Sequence, residues 1–441
     1  MFLSMLRFEL QFQLSRPVTW FFLAIFIVQG LVFMGSDGVV LAGAGMGQVA
    51  RNAPWAIGGS MLMLATVDQV IVTGIVGTSI LRDFQYRSHE LVFTTPISRL
   101  AYLGGRFAAS FLVTVVLHLG IPLGLALGTA LPWVNRAELE PFSAAPYLVQ
   151  YFVLVVPTLF FVSAIFFAVG AFTRSQFAIY SQGIVLVLLW LIARPLLANV
   201  GSQRLAGWID PFGVRTYEVL TRYWTAREKS TRMIPLEGMM LENRLLWIGV
   251  GALLLAITYA TFQFRSVPRL ASRQPVPPGT ASPPPSSTPV ASPRRFDATA
   301  WLTQVLSTAR LAFRSTIRDL PFVVIAGAGV LTLLVTALNA NSLYGEITWP
   351  LTWNLLEGLQ GGFSIFFVLL ITIYAGEAVW RERQIKLHLV ADALPVRTSV
   401  SLAGNFLGLI GVEAALIGLL MATGMAIQTA AGYTRYEPGL Y

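Results

Sequence analysis

Nine stretches of this chain are each long and apolar enough to cross a bilayer, and that pattern leaves little choice of fold. A spanning helix needs about 20 mostly apolar residues. Runs of this kind fall at 18–35, 57–81, 107–131, 147–172, 177–197 and 245–264, and again at 321–338, 358–380 and 402–427. Hydrocarbon offers no hydrogen-bond partner to a peptide group, so apolar segments of this length must satisfy their backbone as helices. The expected fold is an all-α polytopic membrane protein of about nine transmembrane helices. Charged residues make up 12% of the 441 residues, against about 25% in soluble domains. The first run is followed by no small-residue cleavage site and opens a series of similar runs. It therefore reads as a retained anchor.

Basic residues set the orientation. With the N-terminus cytoplasmic, the inner segments hold Arg7 and Arg16, then Arg82, Arg87, Arg99 and Arg106, then Arg174. Further inner cations lie between 265 and 318 and at Arg381, Arg383, Lys386 and Arg397, whereas the short outer loops hold only Arg51, Arg136 and Arg435. This is a positive-inside bias, and it accounts for the net charge of +9 without any nucleic-acid partner. The loop 198–243 breaks the rule with six cations. Its Trp208, Phe212, Tyr217, Tyr223 and Trp224 point to helices lying at the outer interface. The expected location is the cell inner (plasma) membrane.

The runs group into modules of six and three. Between them lies a segment containing PVPPGTASPPPSSTPVASP, too poor in apolar surface to fold alone. The expected boundaries are 1–265 for the first module, 266–295 for a cytoplasmic linker and 296–441 for the start of a second module. Each module opens with an amphipathic segment, at 5–16 and 305–319, suited to the inner leaflet. Three spans against six lead us to expect a chain cut within its second module.

A polar elbow joins the second and third spans of each module. Residues 82–107 read RDFQYRSHELVFTTPISRLAYLGGRF and residues 381–406 read RERQIKLHLVADALPVRTSVSLAGNF. Arg82 aligns with Arg381, Asp83 with Glu382, His89 with His388, Pro96 with Pro395, Gly105 with Gly404 and Phe107 with Phe406, at one constant offset. Repeated spacing of this kind is more than span anchoring requires. Prolines at Pro96 and Pro395 fix the turn and stop the helix from running through it. Arg82, Asp83, Arg381 and Glu382 are expected at helix exits, where charges can stay hydrated for docking.

No enzyme site is visible. The chain lacks a phosphate-cradling Gly-x-x-x-x-Gly-Lys-Ser/Thr loop, and His89-Glu90 is followed by Phe93 where a zinc helix needs a second His. The absence of cysteine removes disulfides, thiolate metal sites and Cys nucleophiles.

The elbow resembles the cytoplasmic loop of ABC-2-type transporter permeases. The matching residues are Arg82-Asp83, Arg87, Glu90-Leu91, Thr95-Pro96-Ile97-Ser98 and Leu103-Gly104-Gly105-Arg106. In the second copy they are Arg381-Glu382, followed by Arg383 and Lys386, then Leu394-Pro395-Val396, with Leu389 in place of Glu90. The Asp210-Pro211-Phe212-Gly213 segment and Asn243-Arg244-Leu245-Leu246-Trp247 are similar to that family too. The nearest pattern is a subgroup with two fused permease modules, some members of which carry a C-terminal M1-type peptidase domain. The resemblance implies a coupling helix docked on a separate ATP-binding subunit, export as the commoner direction, and no cofactor on this chain, ATP being bound by the partner. Either the remainder of the same gene product or a second permease chain would complete the passage.

Two intramembrane carboxyls allow other readings. Asp68 and Glu413 lie near the middle of the second and ninth runs, where a charged side chain costs about 2.5–3.5 kcal/mol on insertion scales. They fit either an ion path, as in a secondary transporter, or interhelical pairing with neighbours such as Gln69. Neither recurs at the equivalent repeat position, which favours pairing. A membrane anchor for a fused peptidase is the remaining alternative. Gly120, Gly124 and Gly128, and Gly404 and Gly408, are spaced for close helix approach, including approach between modules.

Overall fold

The computed structural model describes residues 1–36, 49–174, 203–264, 297–340, 351–362 and 397–437, with isolated positions at 178–190, 349, 367–378 and 439. No strand occurs among them, so the all-helical expectation holds at that level. The linker 266–295 lies outside the described residues, as do residues 381–396 of the second elbow with Arg381, Glu382, Arg383 and Pro395. The fifth apolar run lies largely outside them, and the eighth in part.

Two compact units divide the chain, Met1–Ser266 and Val267–Tyr441. The first begins with an amphipathic helix α1 (Phe2–Leu14), and the chain then turns at Ser15 and Arg16 into α2 (Pro17–Gly35). Proline opens α2 because the first helical position needs no N–H. Helix α3 (Pro54–Val67) breaks at Asp68 and continues, bent by 50°, as α4 (Gln69–Gln85). The elbow follows, with a single turn α5 (His89–Val92). After it come α6 (Leu100–Gly128) and α7 (Ala145–Thr173). Short helices α8 (Gln203–Ile209), α9 (Val214–Thr221) and α10 (Ala226–Thr231) precede the long α11 (Gly238–Thr261). The second unit holds α12 (Ala298–Ile317), α13 (Leu320–Ala340), α14 (Thr352–Gly362) and α15 (Thr398–Ala430).

Among the described residues, five helices are long and apolar enough to span a membrane: α2, α6, α7, α11 and α15. The bent pairs α3–α4 and α12–α13 raise the figure to seven if each is one span. The chain is thus a polytopic helical membrane protein.

Packing in lipid cannot draw on the exclusion of water, so helices associate through close contact and hydrogen bonds. The core of the first unit is aromatic and aliphatic, with Phe26, Ile57, Val76, Tyr102, Val113, Leu159 and Phe166 all nearly inaccessible. Gly120, Gly124 and Gly128 of α6 make their close approach within this unit, against α2. A Cβ on Gly124 would lie 2.1 Å from Ile27 O, and one on Gly30 would lie 2.5 Å from Ile121 O. In the second unit a Cβ on Gly404 would lie 2.6 Å from Thr308 Cβ, and one on Gly408 2.7 Å from Ala312 Cβ. Both glycine stripes therefore serve contacts inside their own units.

Candidate functional site

Helices α1 and α6 cross the base of the elbow and present polar residues to one another at helical spacing. Glu9 and Gln13 lie one turn apart on α1, and Tyr102, Arg106 and Ser110 step along α6 in the same way. Arg106 is the hub. Its Nη1 donates to Glu9 Oε2 at 2.9 Å and to Ser79 O at 2.6 Å, and its Nη2 donates to Asp83 Oδ2 at 2.5 Å. Arg82 forks onto the same Glu9, with Nη1 3.2 Å from Oε1 and Nη2 2.6 Å from Oε2. Gln13 Nε2 donates to Glu9 Oε1 and Ser110 Oγ, both at 2.9 Å. Asp83 also accepts from Tyr102 Oη at 2.8 Å and Ser88 Oγ at 3.1 Å.

Two cations and two carboxylates make this network neutral. The side chains of Glu9 and Arg106 are 0% and 1% exposed, and that of Asp83 6%. Such pairs repay the cost of leaving water only when their remaining hydrogen bonds are also made. Here every carboxylate oxygen in the network has at least one donor. The arrangement ties the exit of α4 to the start of α6 and to the amphipathic α1.

This finding corrects the expectation of hydrated charges at Arg82 and Asp83. Asp83 is buried, and Arg82 turns inward to Glu9 with its guanidinium 3.7 Å from the Phe12 ring centre. The groups that do face outward come later in the elbow. Arg87, Glu90, Thr95, Pro96 and Arg99 are exposed, together with Tyr86, Leu91 and Leu100 at 78%, 76% and 62%. Arg87 adopts a left-handed φ of 57°, which turns the chain out of α4. Ser98 caps α6 by accepting from Ala101 N at 3.1 Å. Two residues before Ser98, Pro96 stands in the turn between α5 and α6.

The underside of the elbow is aromatic. His89 is buried, with Nδ1 3.1 Å from Asp83 O and its ring centre 4.8 Å from that of Phe84. Phe93 contacts Tyr102, Phe262 and Phe264. The guanidinium of Arg174 lies 4.2 Å from the Phe84 ring centre, and burial holds its pKa below the usual arginine value. The underside of the elbow is thus filled, and its upper face projects charged and apolar side chains.

Glu9 was not visible from sequence reasoning. One signal could have found it: Glu9 is the only acidic residue among the first 36, set between Phe8 and Leu10, with a surplus of arginine in the facing elbow. Arg106 was noticed only as the end of a motif, without a role.

A second polar cluster joins two segments that sequence flagged separately. Asp210 accepts from Phe212 N at 3.0 Å and Arg215 N at 2.6 Å. Asn243 Nδ2 donates to Gly207 O and Asp210 O at 2.7 and 2.8 Å. Arg244 donates to Thr158 Oγ1 at 2.9 Å and Phe212 O at 3.1 Å. Gly213 has φ 76°, and a Cβ there would fall 2.1 Å from the guanidinium. Burial pushes the Asp210 carboxyl above the usual carboxylate range, while the Arg215 and Phe212 amides and the Arg244 charge hold it down. This cluster pins α8 and α9 to α7 and α11.

Asp68 sits at the α3–α4 break and accepts from Gln29 Nε2 of α2 at 3.0 Å. The partner is thus Gln29, not Gln69, whose amide donates to Ala65 O. Glu413, on α15, has a buried Oε1 with no hydrogen-bond partner among the described residues. No family model, curated protein or solved structure matches this chain.

Proposed function

We propose that this chain is the membrane-spanning permease component of an ATP-binding-cassette exporter of the ABC-2 type. In this reading the first elbow, 82–100, receives force from a separate ATP-binding subunit. One observation carries it: the two faces of the elbow are divided in character. The inward face is locked by Glu9, Arg82, Asp83 and Arg106 to α1 and α6, while the outward face leaves Tyr86, Arg87, Glu90, Leu91 and Arg99 exposed. A lever needs both properties, a stiff root and a free contact surface. The contact surface combines apolar side chains with charges of both signs, as a protein interface core and its rim do. The passage would be formed by the spans, with ATP hydrolysed elsewhere.

The test is co-purification with the cognate ATP-binding subunit from the source cell. Glu90→Arg combined with Arg87→Glu inverts the charges of the exposed face without touching the buried network. Loss of the ATPase from the purified complex, with an unchanged melting temperature, is the expected result. Full retention of the ATPase would refute the elbow as its docking site.

A further inference from the structure

A groove of about 710 Å³ runs between α1–α2 and α4, and it shares Glu9, Phe12, Gln13, Ser79, Arg82 and Tyr86 with the site described above. Its volume falls within the range of small-molecule and cofactor sites, about 300–1,000 Å³. Its lining is mixed. Arg16 belongs to it, at the joint between the amphipathic α1 and the spanning α2. Val18 and Phe22 of α2, with Val70, Ile71 and Ile75 of α4, supply apolar wall, interrupted by hydroxyl and amide side chains such as Thr19, Thr78 and Gln85. From Arg82 back to Ile71, α4 rises about 16 Å at 1.5 Å per residue, which matches the reach of an acyl chain.

The charge of the wall has a definite sign. Glu9 and Asp83 are matched by Arg82 and Arg106, so Arg16 is the surplus cation on the wall. Arg16 is exposed, and its guanidinium rests 5.5 Å from the Phe12 ring centre. It is also the N-cap of the 19-residue α2, which has no side-chain cap and therefore adds positive partial charge at the same point. We infer that this groove holds an anionic phospholipid of the surrounding bilayer, its phosphate at Arg16 and one acyl chain laid between α2 and α4. Arg16 stands where the chain passes from its amphipathic helix into its first span, the depth at which a phospholipid carries its phosphate. Anionic headgroups are drawn to cations at that depth. The inference does not depend on the transport reading, since any membrane protein with this groove would bind the lipid.

The experiment uses the full chain in phosphatidylcholine nanodiscs doped with phosphatidylglycerol that carries a photoactivatable acyl chain. Peptide mapping after illumination should place label on both walls, at 18–22 and 70–75. Arg16→Gln should lower that labelling about fivefold, the value of one cation near the surface, and Arg16→Lys should restore most of it. Photoactivatable phosphatidylcholine should label the same peptides weakly and equally in all three proteins. Equal labelling by the two lipids, unchanged labelling in Arg16→Gln, or label spread over the helices without preference for these walls would each overturn the inference.

Discussion

The two units solve the same local problem, an amphipathic helix held against a spanning helix, with different chemistry. In the first, α1 meets α6 through Glu9, Gln13, Arg106 and Ser110, an ion network closed by Arg82 and Asp83. In the second, α12 meets α15 through Thr308 and Ala312 against Gly404 and Gly408. Helix α12 carries no acidic residue, and the repeat places Asn405 where the first unit has Arg106. Both units hold such a pair of helices, the first with buried charges and the second without them. Close backbone approach alone suffices to hold the pair, so the ion network in the first unit serves something more than adhesion. Under the function proposed above, that role is to stiffen the elbow beneath the surface that would meet the ATP-binding subunit.

The sharpest way to break this comparison is Arg106→Leu. It would leave Glu9 and Asp83 buried with one partner fewer, at a cost of about 3–5 kcal/mol, read as a large fall in melting temperature of the detergent-solubilised protein. Asn405→Leu at the repeat position should cost under about 1 kcal/mol. Equal losses would mean that the two interfaces are not different in kind.

Gly124→Leu comes next. Its side chain would start 2.1 Å from a backbone oxygen of α2, and overpacking of this sort costs about 1–3 kcal/mol or more. Gly418→Leu on α15, where nothing lies within 4 Å, should leave the melting temperature nearly unchanged. Gly213→Ala should cost about 1–3 kcal/mol, because it combines a left-handed backbone with a clash on Arg244. Its effect should be absent in a protein that already carries Arg244→Ala, apart from the backbone share, and a double-mutant cycle would read the coupling. Smallest of all is Leu91→Ala on the exposed elbow face, expected to shift stability by less than about 0.5 kcal/mol. Its signature would appear only in retention of the proposed ATP-binding subunit.

Much of the helical framework was legible beforehand. The runs at 18–35, 107–131, 147–172, 245–264 and 402–427 reappear as α2, α6, α7, α11 and α15, because a long apolar stretch in lipid has only one way to satisfy its peptide groups. The elbow was legible too, from Pro96 and the polar break before α6. Its division into an inner and an outer face was not. Arg82 and Asp83 read as hydrated docking charges because they stand at the exit of a long apolar run. Their actual environment comes from Glu9 and Arg106, which lie far away along the chain.

Sequence by itself therefore determined that the chain is helical, that it crosses a membrane several times, and that a polar turn separates α4 from α6. Those properties depend on composition over windows of about 20 residues, and no long-range contact can alter them. Tertiary structure alone decided which charges are spent internally and which remain free. A buried carboxylate is defined by partners that converge from separate helices, and the linear order of Glu9, Asp83 and Arg106 carries no record of that meeting.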